Sequence, residues 1–365
     1  MKVLHIVSSI SQTNGAMNVI MNYYRELVKH NIIFDFLFFR KTEIDYSTEI
    51  QKLNGNVFYC GGSGSLNTII KMHSFIHSNC CKYDAIENHE LYLTRFINKQ
   101  NRILILHSHT VQYSQRKLAS FRNRILCYRI GAIADFLTSC SLESAKFFWP
   151  EAIEKNNFQI MHNAIPFDKC KFSENMRKMY RGRFSLESDK IVLGYVARFD
   201  DGKNQEYLVE ILNELCKQSE KYVLMLVGDG KNFQKVKRTV DEFHLNSKVI
   251  FTGTVPGAEV KNYLSSMDIF LFPSTNEGLG QAVIEAQGNG LPCIVSTGIP
   301  LEAKISREFQ FVMLMKEDGT PNYEEWIKNI YSMNLNRQNI NFFNSGYEIG
   351  NEAEKIAEWY KSIIG

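Results

Sequence analysis

No two cysteines in this 365-residue chain have the CxxC spacing of a metal or redox site, and none stands at a ligand-like spacing from a histidine. The eight cysteines, at 60, 80, 81, 127, 140, 170, 216 and 293, are scattered. That argues against a disulfide framework or a zinc module, and they read as reduced, mostly buried thiols of a cytosolic protein. Charge of one sign is scarce as well. The formal net charge is +3, too small to imply nucleic acid, and no basic run is interleaved with aromatics as in single-strand binders. No apolar run approaches the ~18 to 20 residues of a membrane-spanning helix, so any membrane contact is expected to be peripheral. The opening MKVLHIVSSI puts Lys2 before an apolar stretch. His5 and the following serines break that stretch, so it reads as a buried first strand and not as a secretory signal. Internal repeats and low-complexity tracts are also lacking.

What is present is length and rhythm. A chain of 365 residues that is 44% hydrophobic can bury two cores. Short apolar runs alternate with segments of helical period, the pattern of βαβ units. In the first half the expected strands are Val3 to Val7, Ile33 to Phe39, Asn56 to Tyr59, Ala85 to Asn88, Ile103 to His107, Phe136 to Cys140 and Phe158 to His162. In the second they are Ile191 to Ala197, Tyr222 to Val227, Lys248 to Thr252, Ile269 to Pro273, Cys293 to Ser296 and Phe311 to Met313. Two such groups predict an α/β protein of two Rossmann-like, doubly wound domains. Strand periodicity fades between Asn163 and Ser188, where the basic stretch KFSENMRKMYRGRF intervenes, so the domains are set at 1–170 and 171–344. The final amphipathic segment has Ile356, Trp359, Tyr360 and Ile363 on one face and no strand after it to cover, so 345–365 is expected to cross back to the first domain. GGSGSLN, Gly61 to Asn67, has Asn where the third glycine of a dinucleotide loop belongs and reads as a strand-to-helix loop.

Ligands of open parallel sheets bind at the carboxyl ends of the strands, and several polar features of the second half fall there. GYVAR ends a strand at Arg198, and Lys203 stands where the next helix begins. A guanidinium fork and an ammonium beside a helix N-terminus can clamp a diphosphate. VGDG and FTGTVPG end two more strands in glycine turns, with Thr254, Val255 and Pro256 placed to lie near a nucleotide base. TNEGLGQAVIEAQGNG then turns into a helix. Gly278 and Gly280 let the backbone approach a ligand and aim the N–H groups around Leu279 and Gln281 at an anion. Glu277 and Glu285 would repel a phosphate that they faced, so they are read as acceptors for hydroxyls on either side of it. A sugar, a diphosphate and a ribose in that order is a nucleotide sugar.

These motifs closely resemble a known family. R-x4-K at Arg198 and Lys203, VGDG, FTG and E-x7-E from Glu277 to Glu285 are similar to the C-terminal half of the GT-B retaining glycosyltransferases of family 4. The similarity extends to SQTNGAMNVIMNYYREL at the start and through LHSHT and MHNAI to IVSTGIPLEA, most nearly to the branch that makes bacterial capsular polysaccharide or exopolysaccharide. The resemblance implies two domains facing across a cleft. Glu277 would hold donor-sugar hydroxyls, Glu285 the ribose diol, and Arg198 with Lys203 the diphosphate. Gly15 would bring its backbone to the donor, and His109 would stand beside the reacting centre and the acceptor. His107 and His109 are read as pointing to opposite faces of an extended segment, hence as a poor metal pair with His107 structural. With no DxD-like acid pair in a ligand position, no essential metal and no other cofactor are expected. Two departures stand out: Asn14, Gly15, Ala16 and Met17 replace two glycines and a following acid, and Asn163 to Pro166 replaces an NGID-like turn.

The expected activity is retaining transfer of a sugar from a nucleotide donor, UDP-linked, to a lipid-linked glycan in surface polysaccharide synthesis. A UDP-sugar epimerase on the same architecture and a non-catalytic nucleotide-sugar-binding subunit are the alternatives, with Met17 the feature that favours the last. Residues 1–165 hold 18 Lys/Arg against 12 Asp/Glu, leaving that part near +6 and the remainder near −3. QRKLASFRNRILCYR, Gln115 to Arg129, is its densest part, a basic amphipathic segment suited to an anionic membrane surface. The expected location is the cytoplasm, peripheral at the inner face of the cytoplasmic membrane.

Overall fold

The computed structural model describes the chain except residues 62–65, 115, 339, 341, 343 and 344. The chain forms two compact units, 1–166 with 346–365, and 167–345. The glycine loop at Gly61 to Asn67 falls largely outside the described residues.

The first unit is built on a seven-stranded sheet of β1 (Lys2–Val7), β2 (Ile33–Phe38), β3 (Val57–Tyr59), β4 (Ala85–Asn88), β5 (Ile103–Ser108), β6 (Phe136–Ser139) and β7 (Phe158–Ile160), ordered β3-β2-β1-β4-β5-β6-β7. Every pairing is parallel. Strands such as KVLHIV are apolar without alternation because helices cover both sheet faces, and five of the six residues of β1 are buried. The order reverses between β1 and β4, which makes their carboxyl ends the switch point of this unit.

The C-terminal helix Ile349–Ile364 belongs to this unit and packs on helix Gly15–Leu27. Ile356 and Tyr360 are fully buried, each contributing about 1.5–3 kcal/mol. The helix also explains the turn at Asn163 to Pro166: Ile165 N–H donates to Tyr347 C=O at 2.9 Å and Ile349 N–H to Ile165 C=O at 3.2 Å. Met17 is a core residue of the first unit, 1% exposed.

The second unit holds β8 (Ile191–Val196), β9 (Tyr222–Val227), β10 (Val249–Gly253), β11 (Ile269–Phe272), β12 (Cys293–Ser296) and β13 (Phe309–Val312), ordered β10-β9-β8-β11-β12-β13, again parallel throughout. Its switch point lies between β8 and β11. The basic stretch that opens the unit is a structural rivet. Ser173 caps helix Glu174–Arg183, from which Arg177 and Arg181 reach Asp268 at 2.5 and 3.1 Å, fixing the helix to the start of β11. Each unit is thus a Rossmann-like domain of α/β class. Among the described residues, no helix is long and apolar enough to cross a membrane.

Candidate functional site

The switch point of the second unit collects the polar residues singled out above. Arg198 lies two positions beyond β8, its guanidinium largely exposed and paired with Asp200, Nε to Oδ2 2.8 Å. Lys203 forms an ion pair with Glu277 Oε1, and the Ser274 hydroxyl donates to the same oxygen at 2.6 Å. The two loops that carry these groups are stitched together. Thr275 N–H donates to Gly202 C=O at 2.8 Å, the Asn204 amide to Pro273 C=O at 2.9 Å, and Glu277 N–H to Gly298 C=O at 3.1 Å. Hydrogen bonds of this kind, two between backbones and one from the Asn204 side chain, hold the site in place before any ligand arrives.

Gly280 caps helix Gln281–Gly288 with φ +81°. A Cβ there would be strained and only 3.3 Å from Val283. The cap has no side chain to spend on the first-turn N–H groups, which leaves this end suited to an anion. Leu279 is buried and anchors the turn, while Gly278 beside it is half-buried. Gln281 donates its side-chain amide to Glu285 Oε1 at 3.2 Å. Burial pushes the Glu285 carboxyl up to about 7, a shift that the Gln281 hydrogen bond opposes.

The glycine turns after β9 and β10 serve packing first. A Cβ on Gly228 would stand 2.1 Å from Ala197 C=O, and one on Gly230 2.6 Å from Phe199 C=O. Gly228 N–H bonds Gly253 C=O at 3.0 Å, so both turns share one edge with the Arg198 loop. Thr254 is exposed and Val255 half-buried just beyond that edge.

In the first unit, Gly15 is exposed and opens helix Gly15–Leu27. The Asn14 side chain accepts from Ala16 and Met17 N–H at 3.0 and 3.4 Å, so an anion at this end competes with a cap. His107 and His109 do not point to opposite faces. Residues two apart on an extended chain share a face, and the two ring centroids lie 4.2 Å apart. The earlier reason for dismissing them as a metal pair therefore fails. His107 is buried, its Nδ1 2.9 Å from Thr138 Oγ1. His109 is partly exposed just beyond β5 and bonds His89. Burial lowers the imidazole pKa to about 4 at His5 and about 3 at His107, and well below the usual value at His89 and His109.

Sequence reading missed several partners. Asp200 and Ser274 could have been suspected from their nearness to Arg198 and Glu277. His5, the Glu87–His89 pair and Tyr360 are far apart in the chain, and no spacing signals that they meet.

Comparison with known proteins agrees with the fold. Residues 176–339 match the family described as glycosyl transferases group 1. The chain is 28% identical over 309 residues to the EpsF protein of Bacillus subtilis (strain 168), covering 82% of this chain and 79% of that one. It is 26% identical over 225 residues to the UDP-Gal:alpha-D-GlcNAc-diphosphoundecaprenol alpha-1,3-galactosyltransferase of Escherichia coli, covering 58% and 56% respectively. Among solved structures, Anabaena Alr3699/HepE in complex with UDP and glucose matches 99% of this chain and 100% of its own, with a TM-score of 0.78 at 16% identity. That likeness identifies the two Rossmann-like domains as those of the GT-B fold.

Proposed function

From the match of residues 176–339 to the group 1 glycosyl transferases we propose that the protein moves a sugar from a UDP-linked donor to a lipid-linked glycan, with retention, in surface polysaccharide assembly. The observation that carries this reading is the grouping of Arg198, Lys203, Ser274 and Glu277 on hydrogen-bonded loops at the switch point of the second sheet. Cation and carboxylate stand side by side there, as a ligand with an anionic middle and hydroxylated ends requires.

In this reading Glu277 accepts from sugar hydroxyls and Glu285 from the ribose diol. Gly278, Leu279, Gly280 and Gln281 aim backbone N–H groups at the phosphates, and Thr254 and Val255 border the base. The bond from the anomeric carbon to the diphosphate breaks and the acceptor oxygen bonds to that carbon on the same face. The acceptor proton leaves on the departing phosphate. Arg198 and Lys203 stabilise the charge that grows on the leaving group, which in a closed site is a principal catalytic contribution. They stand in place of a metal at the diphosphate. Gly15 and His109 belong to the donor-sugar and acceptor side.

The lipid-linked acceptor and a peripheral place on the cytoplasmic membrane are supported by helix Lys117–Leu126, whose apolar residues Leu118, Phe121 and Ile125 are exposed. Beside it a cavity of about 390 Å³ is lined by Leu137, Phe148 and Trp149 together with Arg124, Arg129 and Lys155 and one carboxylate, Glu151. Apolar walls with three cations against one carboxylate suit an amphipathic anion. The test is a screen of nucleotide sugars for UDP or GDP release with extracted lipid-linked acceptors. A new sugar formed from donor alone would identify an epimerase instead, and UDP binding without transfer to any acceptor would identify a binding subunit.

A further inference from the structure

At the switch point of the first sheet, four imidazoles and a carboxylate are gathered together, His5, Glu87 and His107 buried and His89 and His109 partly so. His5 comes from β1, Glu87 from β4, His89 from just beyond it, and His107 and His109 from the end of β5. The sheet sets this grouping, since His5 stands opposite Glu87 and His107 opposite Thr138 in the ladder.

The polar atoms of the group outnumber their protein partners. His5 Nδ1 lies 2.9 Å from His89 Nε2, and His89 Nδ1 lies 2.8 Å from His109 Nε2. His5 Nε2, His107 Nε2, His109 Nδ1 and Glu87 Oε1 are buried without a hydrogen-bond partner among the described residues. An unpaired polar atom in the interior is costly. Moving protons cannot relieve them all. A neutral imidazole has one N–H, so if His89 donates to His109, an unpaired N–H remains on His109 Nδ1. If the chain runs the other way, it remains on His5 Nε2.

We propose that His89, His107 and His109 bind one late first-row divalent cation of the Zn2+ type, with Glu87 as the partner that orients the ligands. One ligand atom from each histidine lies within 4.8 Å of the others. Three nitrogens about 2.0–2.1 Å from a tetrahedral ion stand about 3.3 Å apart, so modest ring rotations close the set. Neutral imidazoles suit zinc, copper or nickel, whereas magnesium and calcium require oxygen ligands.

Glu87 Oε1 lies 3.4 Å from His107 Nδ1 and 3.8 Å from His89 Nε2. It thus faces the ring nitrogen on the side away from the cation, the position from which a carboxylate fixes a metal-bound imidazole. His107 Nε2, one of the unpartnered atoms, becomes a ligand. The other carboxylate oxygen, Oε2, accepts from the Tyr360 hydroxyl, so the C-terminal helix steadies the orienting group. His5, Glu87 and His89 form a second trio within the same limits. The three-imidazole set is favoured because it leaves the Glu87 carboxylate to orient the ligands. The cation would pin the ends of β4 and β5 and fix the His109 ring. The set shares His109 with the acceptor side of the proposed function, but its test reads metal binding and not transfer, so it stands whether or not the reaction is glycosyl transfer.

The test is titration of the metal-free full chain with Co2+ alone. Saturating visible absorption of tetrahedral Co2+ at one equivalent, displaced by Zn2+, is expected. His107→Ala should abolish it, Glu87→Gln should weaken Co2+ about 10- to 100-fold, and His5→Phe should retain it. Zn2+ should raise the Tm of the native chain and not that of His107→Ala. Circular dichroism establishes that each variant is folded. A native chain without tetrahedral Co2+ absorption overturns the proposal, as does a folded His107→Ala with undiminished affinity. Loss in His5→Phe with retention in His107→Ala would overturn this ligand set.

Discussion

Lys203 and Glu277, 74 positions apart, form an ion pair between the loops that follow β8 and β11, and Ser274 donates to the same carboxylate oxygen. The cation assigned to the diphosphate and the acid assigned to the sugar therefore hold each other in place. Removing the acid frees the cation. Glu277→Ala should abolish most transfer while UDP affinity is kept or rises, because its ligand is the sugar. Glu285→Ala should weaken UDP by roughly 1 to 3 kcal/mol through loss of a charged acceptor. Calorimetry with UDP on the two variants decides. Equal losses would end the division of labour between the two carboxylates.

Arg198 is held by Asp200 in the same manner, but its guanidinium is largely exposed. Asp200→Asn should release it toward the donor and tighten UDP only modestly, by about 0.2–1 kcal/mol, because exposed pairs are weak. Arg198→Ala should instead lower turnover more than donor affinity, since the charge it meets grows as the bond breaks. If Asp200→Asn loosened UDP, Asp200 would be a donor contact and not a restraint.

Glu285 gives the site a pH dependence of definite sign. Burial raises its folded pKa to about 7, so the folded chain holds a proton there that the unfolded chain has lost between the ordinary carboxylate range and 7. The free protein should gain stability from this group as pH falls through 7. Donor binding should run the opposite way, because only the ionised carboxylate accepts both ribose hydroxyls. Affinity for a UDP-sugar, whose diphosphate does not titrate in this range, should fall by up to about tenfold per pH unit below 7. Glu285→Gln should remove both slopes. A native affinity that stays flat between pH 8 and pH 6 would exclude Glu285 from ribose recognition.

The strands were legible because parallel strands covered on both faces are short apolar runs, and their ends were legible because GYVAR, VGDG and FTG change character abruptly there. The two glutamates stood out through their position around a glycine turn. What local reading could not supply was partnership across the sheet. Asp200 and Ser274 are ordinary loop residues until Arg198 and Glu277 are seen to hold them. His5 and His89 are 84 residues apart and meet only because β1 pairs with β4. The assignment of His107 and His109 to opposite faces failed for a simpler reason, since extended chains alternate with period two.

The surface of the first unit carries the remaining expectation. Helix Lys117–Leu126 buries Asn123, which donates to Tyr113 C=O at 2.9 Å, and leaves Leu118 88%, Phe121 69% and Ile125 59% exposed. An amphipathic helix packed on its own domain would do the reverse. At about 100° per residue the three apolar residues fall on one stripe, with Lys117 and Arg124 along one edge and Arg122 along the other. Tyr128, 67% exposed, and Arg129 continue the pattern past the helix end. Apolar residues flanked by cations fit an anionic bilayer interface, where each cation near the surface contributes about 1 kcal/mol. The full chain should sediment with vesicles containing phosphatidylglycerol and not with neutral ones. Salt of a few tenths molar should release it, because the Debye length contracts to a few Å. Converting Arg122, Arg124 and Arg129 to Gln should remove binding through charge, and Phe121→Ser should weaken it through insertion. UDP affinity should be unchanged in both variants, since the residues assigned to the nucleotide and diphosphate lie in the other unit. Sedimentation indifferent to lipid charge, or undiminished in the triple variant, would leave the stripe as an exposed apolar surface with another partner.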